Sequence, residues 1–373
     1  MQHGIIVELT PFLSSPAAAQ AGHSARAFSA RLPRVHEARQ WLQQSTRTWP
    51  HLDPAGAVDE TALAVLRRCK RVRVLGQPGA VVAMRAALTA LAPQAAVTWQ
   101  MGPAEVPAQA GEALLCLEGP LWVDEAAEAA VAARVRVVMA GAGVHAVPPR
   151  GAWISDATSA DGRFVWFGAA LATLLAWAGV DAAAWAEGLA AGQGTSARPA
   201  LFENPGWSMA TALSLVPDAT PVLIATDPAL EGIVRALARA WGALVRGAPD
   251  RGQLTARVGL TVLDGIASDI ELFEAIHGGP ADRLPIFWGP PTAESETFQS
   301  WLTRHGRPFL SVRAQAIDAR EVAELCAVAI HAAVALAVLR LVDPLDEKAV
   351  LAWRHAVTLD AERLGVDEAS PSA

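Results

Sequence analysis

Short runs of β-branched and aliphatic residues alternate with longer segments of helical period along most of this chain, and this alternation limits the fold more than any other feature. A helical segment from Thr61 leads through Cys69 to Val72-Arg73-Val74-Leu75, a strand-length run closed by a Gly/Pro turn, after which residues 81–91 regain helical period. Leu114-Leu115-Cys116-Leu117 is a second strand, Ala126 to Ala133 a helix, and Val135 to Met139 a third strand ended by Gly141-Ala142-Gly143. Helices are predicted from Phe164 and over Trp185 to Ala191. Beyond them come strands at Pro221–Thr226, Val258–Leu263, Leu284–Trp288 and Phe309–Val312, with a helix over Leu230–Leu244. Strands separated by helices cannot pair as hairpins, so they are expected to form parallel sheets covered on both faces. The fold class is α/β: two tandem doubly wound units, each a three-layer α/β/α arrangement, with a long C-terminal helix.

A chain of 373 residues is long enough for two such cores. Gly192-Gln193-Gly194-Thr195-Ser196 reads as a flexible connector between them. The expected division is an N-terminal arm (1–60, with a helical segment from Val35 to Gln44), a first unit (61–195), a second unit with the C-terminal helix (196–358) and a tail (359–373).

Composition excludes several classes of partner. A formal charge of −7 with scattered arginines offers no clustered basic face for nucleic acid. Cys69, Cys116 and Cys326 are distant from one another and odd in number, with no Cys-x-x-Cys pair, so neither a disulfide framework nor a metal site is expected. No cofactor is expected either. The start, Met1-Gln2-His3-Gly4-Ile5-Ile6-Val7-Glu8, lacks the basic lead and apolar run of a secretion signal, and a cytoplasmic protein is expected. Phe164–Val180 and Leu325–Leu339 carry no charged side chain but fall short of the roughly 20 residues that cross a bilayer, so both are read as buried helices and no membrane span is expected.

Several motifs, taken in order, resemble those of one family. Asp161-Gly162-Arg163-Phe164-Val165-Trp166-Phe167-Gly168, continued to Leu175 and followed by Ala178-Gly179-Val180-Asp181, is similar to the Gly-Arg-Phe/Tyr-Ser stretch and Ala-Gly-hydrophobic-Asp turn of phosphoglucose isomerases. Asn204-Pro205 resembles the Asn-Pro that opens the first helix of that family's second domain. Gly278-Gly279-Pro280-Ala281-Asp282-Arg283-Leu284, Gly306-Arg307-Pro308, the segment Val322–Leu341 in the place of a long helix, and Asp343-Pro344-Leu345-Asp346-Glu347-Lys348-Ala349-Val350 follow in the family's order. The resemblance spans residues from about 70 to 355 and implies the sugar isomerase (SIS) fold. It also implies dimers formed through helical arms, and thirteen Trp in a chain without Tyr are compatible with a large apolar contact.

The family's chemistry moves a proton between carbons with a carboxylate, opens the sugar ring with a His, and holds phosphate with hydroxyls and backbone N–H groups. The family's phosphate loop, Ser-Lys-Ser-Gly-x-Thr, aligns with Cys116-Leu117-Glu118-Gly119-Pro120-Leu121, which has lost three hydroxyls and gained a negative charge. Two like charges 4 Å apart repel by about 4 kcal/mol at an effective dielectric of 20. The first Gly-rich loop becomes Gly76-Gln77-Pro78-Gly79-Ala80. Asp250 stands near the position of the family's base, Ile270 at that of its His with His277 seven residues on, and Arg354 at that of its catalytic Lys; Arg163 matches directly. The resemblance therefore marks Arg163, Asp250 and Arg354 as the residues of any surviving catalysis, and Gly76, Gly79, Glu118 and Gly119 as substrate-binding positions. The expectation is a phosphoglucose-isomerase-like protein without catalysis, serving as a binding, regulatory or assembly subunit linked to sugar-phosphate metabolism, with a small sugar-like ligand and a homodimeric or other protein partner. The alternative is a glucose-6-phosphate/fructose-6-phosphate isomerase of weak or altered activity, or a cleft for an unphosphorylated or cationic ligand that Glu118 recognises. No Gly-x-Ser-x-Gly elbow, His-Glu-x-x-His or Walker pattern points to other chemistry, and Gly141-Ala142-Gly143 lacks the third Gly of a dinucleotide loop.

Overall fold

Strands buried on both faces set the architecture. The computed structural model describes residues 5–15, 24–44, 57–103, 109, 111–119, 121–142, 147–156, 158, 162–216, 220–245, 259–262 and 283–341. The chain opens with β1 (Ile6–Glu8), α1 (Thr10–Leu13), α2 (Ala25–Ala30), α3 (Leu32–Gln44) and α4 (Glu60–Leu66). Then follow β2 (Arg71–Leu75), α5 (Pro78–Leu91), β3 (Val97–Gln100), β4 (Glu112–Leu117), α6 (Leu121–Ala132), β5 (Arg136–Gly141) and β6 (Ala152–Ser155). Three helices come next, α7 (Ala169–Trp177), α8 (Ala182–Ala197) and α9 (Pro205–Leu215). The chain continues through β7 (Thr220–Ala225), α10 (Glu231–Val245), β8 (Gly259–Val262), β9 (Arg283–Gly289), α11 (Ala293–Arg304), β10 (Leu310–Arg313) and α12 (Ala319–Leu339). The described residues of 55–182 form one compact unit, and those of 1–54 with 183–346 form another. The α/β class with two sheets and a long C-terminal helix is as expected from the sequence.

In the 55–182 unit the sheet order is β3-β2-β4-β5-β6, with every neighbouring pair parallel. All six residues of β4 are buried, the pattern of a central strand covered on both faces. Leu75, Leu114, Cys116 and Val137 pack with Val123, Ala127 and Ala130 of α6, and each fully buried Leu or Val contributes roughly 1.5–3 kcal/mol. Within this core lies an ion pair. The Arg73 guanidinium donates through Nη2 to Glu112 Oε2 (2.9 Å) and through Nε to Oε1 (3.2 Å), while Thr98 Oγ1 and Gln109 N–H donate to the same carboxylate. The pair ties β2, β3 and β4 in one register.

In the other unit the order is β1-β10-β9-β7-β8. Four strands are parallel, and β1 adds an antiparallel edge to β10 with Ile6 opposite Arg313 and Glu8 opposite Ser311. Helix α12 runs through the core with almost every residue buried; α9 and α10 pack on it, and the Trp241 indole N–H donates to Ala329 O (2.9 Å). The apolar run Leu325–Leu339 is thus a core helix, as expected, although capping by Asp318 starts it earlier and brings it to 21 residues.

Two sequence expectations need correction. Gly192–Ser196 is no connector but the last turns of α8. Two glycines of α8 serve packing: a Cβ on Gly192 would meet Ala327 Cβ at 2.6 Å, and one on Gly188 would meet Arg320 O at 2.0 Å, so α8 and α12 approach backbone to backbone. The stretch from Phe164 is likewise not one helix. A 3-10 turn over Val165–Phe167 gives way to α7 at Gly168, where a Cβ would lie 2.5 Å from both Asp156 Oδ2 and Thr158 Oγ1.

Asn204, of the Asn-Pro motif, joins two helices. Its Oδ1 accepts from Trp207 N–H (3.0 Å) and so caps α9, while its Nδ2 donates to Ser196 O and Arg198 O at the end of α8. Arg39 of α3 binds the neighbouring carbonyls of Arg198 and Pro199 and lies over the Trp207 ring at 5.9 Å.

Candidate functional site

A doubly wound sheet opens a crevice where consecutive strands leave in opposite directions, because the flanking helices diverge there. In the 55–182 unit the chain leaves β2 for β3 on one side and returns to β4 on the other, so this point lies beyond the C-terminal ends of β2 and β4. The loops at that point are Gly76-Gln77-Pro78 and Glu118-Gly119. Gly76, Gly79, Glu118 and Gly119, all predicted as substrate-binding positions, thus meet at one edge.

The two loops touch. A Cβ on Gly76 would lie 2.9 Å from Leu117 Cβ, and one on Gly119 would lie 2.8 Å from Gln77 Nε2, so the Gln77 amide rests on the Gly119 backbone. Gln77 Oε1 is buried and has no hydrogen-bond partner among the described residues. Gln77 caps α5 by position only, and Pro78 starts the helix without a donor, as proline at a first helical position can. The remaining N–H groups of that first turn have no acceptor within the helix itself.

Glu118 turns sideways. Its backbone N–H donates to Ala140 O (2.8 Å), and its carboxylate accepts from Ala142 N–H (2.6 Å) while covering Gly141, where a Cβ would fall 2.2 Å from Oε2. The carboxylate of the loop after β4 is thus held against the neighbouring loop. Cys116 faces the hydrophobic core, and burial, with Asp124 second, pushes its thiol up to about 12, so at neutral pH it is no nucleophile.

Arg163 is 2 % exposed, with its guanidinium carbon 5.4 Å from the Phe164 ring centre. Close by in sequence, the buried Asp156 accepts from Thr158 N–H (2.9 Å), Thr158 Oγ1 (2.7 Å) and Ala170 N–H (2.9 Å), which anchors the start of α7. The Gly-Arg-Phe stretch is therefore interior. Asp250 and Arg354 lie outside the described residues, as do Ile270, His277, Gly278–Asp282 and Asp343–Val350. Among the described residues no three His, Cys, Asp or Glu side chains converge as metal ligands would.

The other unit repeats the order. Its corresponding point lies between β7 and β9 and is closed by internal bonds. Thr226 N–H and Oγ1 both donate to Trp288 O, Thr292 Oγ1 donates to Thr226 O (3.3 Å), and Asp227 Oδ1 accepts from Ala229 N–H (2.8 Å). Gly289, at φ +121°, has Leu230 Cδ1 and Thr226 Oγ1 where a Cβ would go. Sequence reasoning did not single out Gln77, Asp156 or Thr226. A polar residue directly before a helix-opening proline was the available signal for Gln77.

No protein-family model matches the chain, and no curated protein matches its sequence. Solved structures do match. The chain is similar to a hypothetical protein from Thermus thermophilus, at 17 % identity and a TM-score of 0.69 over 91 % of this chain and 97 % of that one. It is also similar to a glucose-6-phosphate isomerase from Chlamydia trachomatis, at 13 % identity and a TM-score of 0.63 over 90 % of this chain and 78 % of that one. At these identities what is shared is the fold, the tandem SIS arrangement that the motifs led one to expect.

Proposed function

We propose that this chain is a phosphoglucose-isomerase-like protein that binds a small, hydroxylated, sugar-like ligand at the β2/β4 crevice without isomerising a sugar phosphate, and that it acts as a binding, regulatory or assembly subunit. The observation that carries this reading is the loop after β4. Where a phosphate loop presents hydroxyls and free N–H groups, this one presents Leu117-Glu118-Gly119, with the Glu118 carboxylate already bonded to Ala142 N–H (2.6 Å) and the Cys116 thiol turned inward. A dianion arriving there meets a fixed negative charge and finds no side-chain donor on that loop. A neutral hydroxyl meets instead the Gln77 amide, which both donates and accepts, and the first-turn N–H groups of α5.

Thermal unfolding with glucose 6-phosphate, fructose 6-phosphate, glucose and fructose tests this, because a ligand that binds only the folded state raises Tm. An increase with a free sugar and none with its phosphate is expected. An increase with either phosphosugar, or interconversion of the two that Arg163→Ala abolishes, sinks the proposal and favours the alternative, a weak isomerase using Arg163, Asp250 and Arg354. That alternative draws on the shared fold and on the direct match of Arg163. The assembly role extends to a homodimer, supported by the exposed apolar side chains Leu32, Trp41 and Phe202, and light scattering that finds a monomer at all concentrations removes it.

A further inference from the structure

One buried carboxyl bridges the core helix and the first strand of the chain. Glu324, in the apolar helix α12, is 1 % exposed, and its Oε1 accepts from Ile5 N–H (3.1 Å) just before β1. Its Oε2 is equally buried and has no hydrogen-bond partner among the described residues. A cap for Ile5 alone needs only a neutral acceptor, so an ionisable group with one oxygen unsatisfied is more than the packing requires. Burial raises its pKa, opposed by the Ile5 N–H; among the described residues the charged groups acting on it are Arg320 and Glu321 on its own helix and Arg198 beyond the end of α8. The strand brings one more charge, Glu8, which is paired with Arg313 (3.0 Å).

We propose that Glu324 is a proton-operated latch on the N-terminal strand: the neutral carboxyl holds Ile5 and β1 against α12, and the ionised carboxyl favours an open state in which β1 lifts and water reaches the second oxygen. The strand suits this role: among the described residues it is three residues long, lies at the sheet edge and is paired on one side. The direction follows from linkage. The closed state binds the proton more tightly than the open one, so closure is strongest below the ordinary value of 4.5 and weakens as pH rises toward the raised value. Within that window each pH unit shifts the opening equilibrium by up to about tenfold.

The test is amide hydrogen exchange of the full chain from pH 4.5 upward, corrected for intrinsic exchange, in the wild type, Glu324→Gln and Glu8→Gln. The expected result is protection at residues 5–8 that falls by up to about tenfold per pH unit and then levels, while β9 keeps its protection. The slope disappears in Glu324→Gln and persists in Glu8→Gln. A pH-independent wild type overturns the proposal, as does a slope retained in Glu324→Gln. If that variant does not fold, the wild type alone still decides, because β9 losing protection in parallel with β1 means global loosening rather than a latch.

Discussion

Gly188→Ala and Gly194→Ala make the same chemical change on the same helix, and the structure gives them opposite signs. Replacing a helical Gly by Ala removes backbone freedom from the unfolded chain and gains about 0.8–1 kcal/mol where nothing intervenes. At Gly194 a Cβ meets nothing within 4 Å, so the full gain is expected. At Gly188 the Cβ would sit 2.0 Å from Arg320 O, a backbone atom of α12 that cannot rotate away, whereas ordinary contact begins at 3.4 Å. The helices must part by more than 1 Å at that point, and the contacts around Gly192 loosen with them. Overpacking of this kind costs about 1–3 kcal/mol, and the upper part of that range applies when backbone must move. Net of the helix gain, Gly188→Ala should destabilise by about 1–2 kcal/mol, so the two variants differ by about 2–3 kcal/mol. For a unit of this size that separates their melting temperatures by roughly 5–10 °C. Urea unfolding followed by Trp fluorescence measures it, with an unchanged m-value as the check that only stability moved. If Gly188→Ala is as stable as Gly194→Ala, the close helix contact is not present and the account of α8 given above fails.

Three further outcomes are expected. Arg73→Met leaves the Glu112 carboxylate buried and uncompensated and should cost about 3–5 kcal/mol in urea, whereas the double variant Arg73→Met/Glu112→Leu should recover most of it; equal losses in both would refute the ion-pair account. Burial, with Arg39 second, lowers the pKa of His331 from 6.5 to about 3, so its contribution is complete above pH 6.5 and is lost as pH falls toward 3. Stability should decline by up to about 1.4 kcal/mol per pH unit in that window, and His331→Phe should flatten the slope. A thiol reagent at pH 8 should label Cys116 only as fast as the protein unfolds, and rapid labelling of the native chain would place that thiol outside the core.

Most of the strands that were legible in the sequence lie inside a sheet, and β8, an edge, is the exception. Leu114-Leu115-Cys116-Leu117 and Leu284-Pro285-Ile286-Phe287-Trp288 are continuous apolar runs because helices lie above and below them. The missed strands, β1, β3 and β6, are sheet edges. Val97-Thr98-Trp99-Gln100 and Ala152-Trp153-Ile154-Ser155 are short and half-exposed, so their composition differs little from that of loops. Helix α11 was missed because its first turn, Ala293-Glu294-Ser295-Glu296, is polar; its signal was the capping box of Thr292 and Ser295. The Gly-rich end of α8 was misread because glycine allows flexibility and close packing alike, and only the partner helix distinguishes them. At the candidate site, sequence placed Gly76 after β2 and Glu118 and Gly119 after β4, where the structure has them, while Gly79 falls in the first turn of α5. It could not show which way the Glu118 carboxylate turns, since that depends on Gly141 and Ala142, which arrive from a different strand.

The antiparallel edge of the second sheet also bears on synthesis. Ile5 is bonded to Glu324, 319 residues away, and β1 pairs with β10, so β1 leaves the ribosome long before the elements it packs against. At about 5–20 residues per second that wait is on the order of tens of seconds. The strands of the other sheet, β2 to β6, all come from residues 71–155 and can close while the rest of the chain is still being made. The nascent chain should therefore carry one finished sheet and an unpaired β1 until β10 has been made, which makes β1 a natural point for a chaperone to act.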